Sequence, residues 1–153
     1  MHQSLPFNAF VTTLLTLLGL CLAPPTHAEQ AKTHFKSEVA GAELPFSDAV
    51  LAGDTLYISG KGGMLPGTRE VPADPAEEAR LLMEDFKRTL ARAGMTMDDL
   101  VSVTVYCPDL SLYATFNQVY RSYFKENFPS RAFVGSGPLL FGMRFEMKGI
   151  AVR

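Results

Sequence analysis

The sequence predicts an α+β domain whose elements run β-β-α-β-α-β-β, with two helices laid on one face of a mixed sheet. Three observations predict it. Leu100–Tyr106 alternates as a strand does. A stripe from Ala79 to Ala93 recurs at three- and four-residue steps, as on an amphipathic helix. Gly, Pro and Asp punctuate the intervals between such runs. A chain of 153 residues suits one domain of this kind.

The elements follow in order. Ser47–Ala52 and Thr55–Ser59 are β-prone runs around a Gly53-Asp54 turn and read as a hairpin. Lys61–Gly67 is a loop by its glycines and proline. Asp74 is a helix cap, Pro75 fits the first helical position, and Glu77 and Glu78 complement the N-terminal dipole. Ala79, Leu82, Met83, Phe86, Leu90 and Ala93 form the apolar stripe, and Gly94 stops the helix. In Leu100–Tyr106, residues Val101, Val103 and Val105 face one way, with Ser102, Thr104 and Tyr106 facing the other. A second helix is expected over Leu112–Asn127, with Tyr113, Phe116, Tyr120, Tyr123 and Phe124 on its apolar face. Strands over Ala132–Ser136 and Met143–Val152 close the chain.

Composition divides the chain unevenly. It is 47% hydrophobic and 20% charged with a net charge of −2, which excludes a disordered chain and argues against a dedicated nucleic-acid binder. Every charged residue lies after Ala28. Before that point an apolar run, Phe10–Leu22, is too short to span a bilayer and precedes Pro24-Pro25 and a small-x-small Thr26-His27-Ala28. Residues 1–28 are therefore expected to be a signal peptide cleaved after Ala28, which places the protein in the periplasm or outside the cell. An uncleaved anchor is the alternative, since no Lys or Arg precedes the apolar run. Residues 29–43 are expected to form an N-terminal extension and 44–153 the domain.

Cleavage would leave 125 residues with Cys107 and His34 as their sole Cys and His. That excludes an internal disulfide and argues against a His/Cys zinc site or a His-dependent nucleophile, so no metal is expected. His34 falls in a stretch expected to be mobile. Gly60–Gly63 fails as a phosphate loop, because Thr55 and Gly62 occupy positions that need Gly and Ser/Thr. Glu84 and Arg88, four residues apart, describe a solvated helix face.

Three residues remain as candidates for chemistry. Asn117 lies on the apolar stripe of the second helix, where a buried amide needs partners, either structural or in a ligand. Arg131 opens a strand behind Pro129, which can present its planar fork to a carboxylate; a surface role is the plainer alternative. Phe145 and Met147 face the helices, which turns Glu146 and Lys148 to the uncovered face. Glu146 is there either a rim ion-pair partner or a water-activating base. So short a chain cannot cover the second face of its own sheet, which predicts self-association.

The segments LPFSDAVLAGDTLYISG (Leu44–Gly60), EVPAD (Glu70–Asp74), Cys107-Pro-Asp-Leu110, YATFNQVY (Tyr113–Tyr120), FPSRA (Phe128–Ala132) and FEMKGIAVR (Phe145–Arg153) resemble, in order and spacing, the RidA/YjgF family of imine deaminases. The resemblance implies a chorismate-mutase-like subunit, a homotrimer whose sheets line a central barrel, and ligand clefts between subunits. It implies that Arg131 holds the carboxylate of a 2-imino or enamino acid and that Glu146 positions the attacking water. Asn117 and Ser59 match further site residues. The products would be a 2-keto acid and ammonia, with no cofactor, because the substrate is itself electrophilic.

The match is imperfect at the site. Phe46 stands where a Tyr is frequent, Lys61 for a usual Gln, Phe133 for a frequent Cys, and Lys148 for an acid. Phe46 and Phe133 would make the cleft more apolar, and Lys61 would add a positive charge if its side chain turns into it. A non-catalytic trimeric carboxylate binder or chaperone-like protein is the alternative function. Neither nucleic acid nor, after cleavage, membrane is an expected partner.

Overall fold

The computed structural model describes residues 31–37 and 44–153. The expected signal peptide lies outside these residues. Six strands form one mixed sheet: β1 (Lys32–Phe35), β2 (Ala49–Ala52), β3 (Thr55–Gly62), β4 (Leu100–Cys107), β5 (Ser130–Gly135) and β6 (Glu146–Val152), in the spatial order β1-β2-β3-β6-β4-β5. The β4–β5 pair runs parallel; the other pairs are antiparallel. Helices α1 (Pro75–Arg92) and α2 (Tyr113–Arg121) pack on one face.

Helix α1 starts and stops where its residues require. The Asp74 carboxylate accepts the Ala76 N–H at 3.0 Å, and Gly94, at φ 71°, lets the chain leave while Met95 N–H bonds back to the Leu90 carbonyl. Ala79, Leu82, Met83, Phe86 and Leu90 are wholly buried against Leu56, Val103, Val105, Met147 and Ala151 of the sheet. At about 25 cal/mol per Å² of apolar surface, this layer is the main source of stability.

The structure departs from the sequence reading at several places; among them, β3 runs on through Lys61 and Gly62, where a loop is expected, and β5 is Ser130–Gly135 rather than Ala132–Ser136. Lys32–Phe35, inside the stretch read as a mobile extension, is an edge strand paired with β2. Arg92 docks it, donating to the Lys36 carbonyl at 2.6 Å while its guanidinium lies over the Phe35 ring. Val101 is 48% exposed rather than inward, because a register shift between Leu100 and Ser102 gives the inward place to Leu100. Helix α2 ends at Arg121, not Asn127. Ser122 donates to the Val119 carbonyl there, and Phe124 and Phe128 fold back on Tyr120 from beyond the helix.

Strand β6 begins at Glu146 rather than Met143 because the buried carboxylate of Glu78 claims the preceding residues. It accepts from Arg144 N–H (2.6 Å), Arg144 Nε (2.5 Å) and Phe145 N–H (3.1 Å). On α1, Arg80 pairs with Glu77 and Arg88 with Asp85, whereas Glu84 accepts from the Tyr123 hydroxyl instead of pairing with Arg88. Burial, and then the bond to Glu84, push the Tyr123 phenol up to about 12.

Candidate active site

Arg131 enters the helix-covered face from the start of β5. Pro129 precedes it, and the Ser130 hydroxyl pins the strand by donating to the Val101 carbonyl at 3.0 Å. The guanidinium then lies within reach of α2. Its Nη2 donates to Asn117 Oδ1 at 2.6 Å, and its central carbon sits 4.5 Å from the centre of the Tyr120 ring. Phe133 and Tyr113 stand farther off, at 5.8 and 5.9 Å. A partly desolvated guanidinium over a tyrosine face gains about 1–2 kcal/mol and loses freedom of motion.

Two polar atoms stay without a hydrogen bond in this enclosure, Arg131 Nη1 and the Tyr120 hydroxyl. Burial pushes the Tyr120 phenol up to about 12, against the pull of Arg131. The Tyr113 phenol moves the other way, held below its ordinary value first by hydrogen bonding with Asn117 and then by the Arg131 charge. Beside them opens a cavity of about 190 Å³, lined by Tyr113, Asn117, Tyr120, Arg121, Phe128, Pro129 and Arg131. A cation with an orphaned donor, set among aromatic rings, suits a small organic carboxylate.

Glu146 does not join this group. Met147 and Ala151 of β6 face the core, so Glu146 and Lys148 project from the opposite, open face, in register with Tyr106 and Thr104. The Glu146 carboxylate lies over Gly60, where an added Cβ would collide with it. Ser59, next to Gly60, donates its hydroxyl to the Ser47 carbonyl at 2.6 Å. Phe46 is the residue before Ser47 and is 55% exposed. The predicted residues therefore fall into two groups. Arg131, Asn117 and Phe133 meet under α2, whereas Ser59 and Glu146 flank Gly60, with Phe46 beside Ser47.

Lys61 belongs to neither group. Its side chain turns toward the helices, 9% exposed, with Nζ 3.0 Å from Asp48 and 3.4 Å from Asp85. Simple alternation from Tyr57 and Ser59 would put Lys61 on the open face. A register shift in β3 between Ile58 and Lys61 inserts one residue and reverses it. Its charge is therefore taken up by two carboxylates. Phe133 is chiefly a packing residue, edge-on to both Tyr113 and Phe116. His34 sits in β1 with Nδ1 3.2 Å from the Ser47 hydroxyl. Cys107 is buried, and burial raises its thiol pKa. Among the described residues, no three His, Cys, Asp or Glu gather closely enough to hold a metal ion.

Tyr113 and Tyr120 escaped the sequence reading as site residues, because an aromatic stripe on a helix reads as core. The available signal was their spacing. Positions 113, 117 and 120 share one helical face, so the two phenols flank the amide.

Comparison with known proteins places this geometry among relatives. The family model described as Endoribonuclease L-PSP matches residues 36–153. The human 2-iminobutanoate/2-iminopropanoate deaminase is 36% identical over 118 residues, covering 76% of this chain and 86% of the human protein. Among solved structures, RidA from an Antarctic Psychrobacter matches with a TM-score of 0.73 and 31% identity, covering 79% of this chain and 99% of its own. Escherichia coli TdcF with bound serine matches at 0.72 and 34% identity, over 79% and 98% of the two chains.

Proposed function

The chain belongs to the Endoribonuclease L-PSP (RidA/YjgF) family, and from that premise we propose that it is a hydrolytic deaminase converting reactive 2-imino and enamino acids to 2-keto acids and ammonia. The observation that carries the proposal is the Arg131–Asn117 pair, a preset guanidinium with one unpaired nitrogen beside an aromatic cavity. Arg131 binds the substrate carboxylate and fixes the imine carbon beside it. Water adds to that carbon while Glu146 takes its proton, and the C=N π electrons move to nitrogen. Glu146 returns that proton to nitrogen to give the carbinolamine, then takes the carbinolamine's hydroxyl proton and passes it to nitrogen as C–N breaks, so that the keto C=O forms and ammonia leaves. The imine carbon is electrophilic already, so positioning and one base suffice.

Because Arg131 and Glu146 project from opposite faces of one sheet, a working site needs Arg131 of one subunit and Glu146 of another. A homotrimer closed over the open sheet faces supplies such clefts. Tyr57 and Val152, exposed on that face, support it. Export with cleavage after Ala28 completes the proposal, supported by the charge-free first 28 residues. Purified protein should accelerate keto-acid release from enzymatically generated imino acids, and Arg131→Ala should abolish the effect while leaving the assembly intact. No acceleration by the unaltered protein would refute deamination.

A further inference from the structure

Helix α2 offers the site an accessible polar group not yet assigned a role, on the half-exposed Tyr113. The ring is fixed, standing edge-on to Phe133 at 5.0 Å, and Phe133 in turn packs against Phe116. Yet Tyr113 remains 47% exposed and lines the same cavity as Asn117 and Arg131. Its neighbour Tyr120 differs, with a buried hydroxyl and its ring face given to the guanidinium. Asn117 lowers the Tyr113 pKa, as a donor to the phenol oxygen does, so its NH2 group is the part that faces that oxygen while its carbonyl takes the bond from Arg131. A phenol oxygen that accepts from an amide keeps its own hydrogen for a third group.

We propose that Tyr113 contacts the substrate, its hydroxyl donating to the same carboxylate that Arg131 holds and so favouring acids over neutral imines. This inference rests on the carboxylate site described under the proposed function. It carries a pH signature. The charged groups facing the phenol are Arg131 from β5 and Arg121 from α2. Tyr120, at about 12, stays neutral at moderately alkaline pH. Below the Tyr113 pKa the hydroxyl donates; above it a phenolate faces the carboxylate and repels it. Because that pKa is lowered, affinity should fall earlier on the alkaline side than an ordinary tyrosine would cause.

The test is calorimetric titration of the purified protein and of Tyr113→Phe with 2-oxobutanoate, from neutral pH to about pH 10. The variant keeps the ring and its packing, and a melting curve checks its fold. It should bind about ten- to a hundredfold more weakly at neutral pH, the worth of one hydrogen bond to a charged acceptor, and should lose the alkaline decline. Equal affinity and an unchanged alkaline limb would overturn the role of Tyr113 and leave the carboxylate site standing. No binding by the unaltered protein, with no keto-acid release either, would overturn both.

Discussion

Replacing Asn117 by aspartate changes one side-chain group while reversing what Arg131 can offer a ligand. The amide oxygen now accepts from Nη2 at 2.6 Å. An isosteric carboxylate would accept the same bond and add a full charge. Folding should gain, because a neutral acceptor becomes an ion-paired one, worth about 0.5–1 kcal/mol in a partly buried setting. For a domain of this size that raises the melting temperature by about 2–4 °C. Sign and pH window follow from the new acid. Arg131 would depress the pKa of the introduced carboxyl in the folded state, so the gain is present above about pH 4 and disappears as pH falls through the folded pKa. Substrate binding should move oppositely. A ligand carboxylate about 5 Å from the introduced one meets about 3 kcal/mol of repulsion at an effective dielectric near 20, so kcat/KM falls roughly a hundredfold. Thermal melts at two pH values and a keto-acid release assay read both quantities. An Asn117→Asp protein that is destabilised at neutral pH, or that keeps full kcat/KM, would refute the assignment of Arg131 as a preset carboxylate anchor.

The remaining substitutions separate chemistry from scaffold. Gly60→Ala places a Cβ against the Glu146 carboxylate and should cut kcat roughly tenfold or more with little change in carboxylate affinity, read by steady-state kinetics and calorimetry. Lys61→Gln should leave the KM intact while lowering stability by about 1–2 kcal/mol in urea titration, since it strips Asp48 and Asp85 of a buried cation. Glu78→Gln should cost about 3–5 kcal/mol in the same titration, because Arg144 loses its buried counter-charge where α1 is tied to the start of β6.

Sequence alone revealed the elements whose signals are local. The Asp74-Pro75 cap, the stripe from Ala79 to Leu90 and the Gly94 stop lie where their chemistry requires them, and the alternation through Val103 and Val105 set the inner face of β4. Long-range effects were hidden. The Lys32–Phe35 strand owes its place to Arg92, 56 residues past Lys36. The β3 irregularity that reverses Lys61 has no signature in a Ser-Gly-Lys triplet that also reads as a turn. Met143–Phe145 are drawn out of β6 by Glu78, which in sequence is one more acid in the first turn of a helix. Arg131, Asn117 and Glu146 were each legible as candidates. What sequence could not show is that bonds under α2 join the first two, while the parity of β6 sends the third through the sheet.

That separation makes subunit complementation the most direct measurement of a shared site. Arg131→Ala and Glu146→Gln proteins, each expected to be inactive, are unfolded together and refolded as a mixture, and keto-acid release is compared with the parents. Random assembly of equal amounts should restore roughly a quarter of the native activity, the fraction of clefts that combine an intact Arg131 with an intact Glu146 from a neighbour. A mixture as inactive as either parent, beside an active unaltered protein refolded in the same way, would contradict a site built from two subunits.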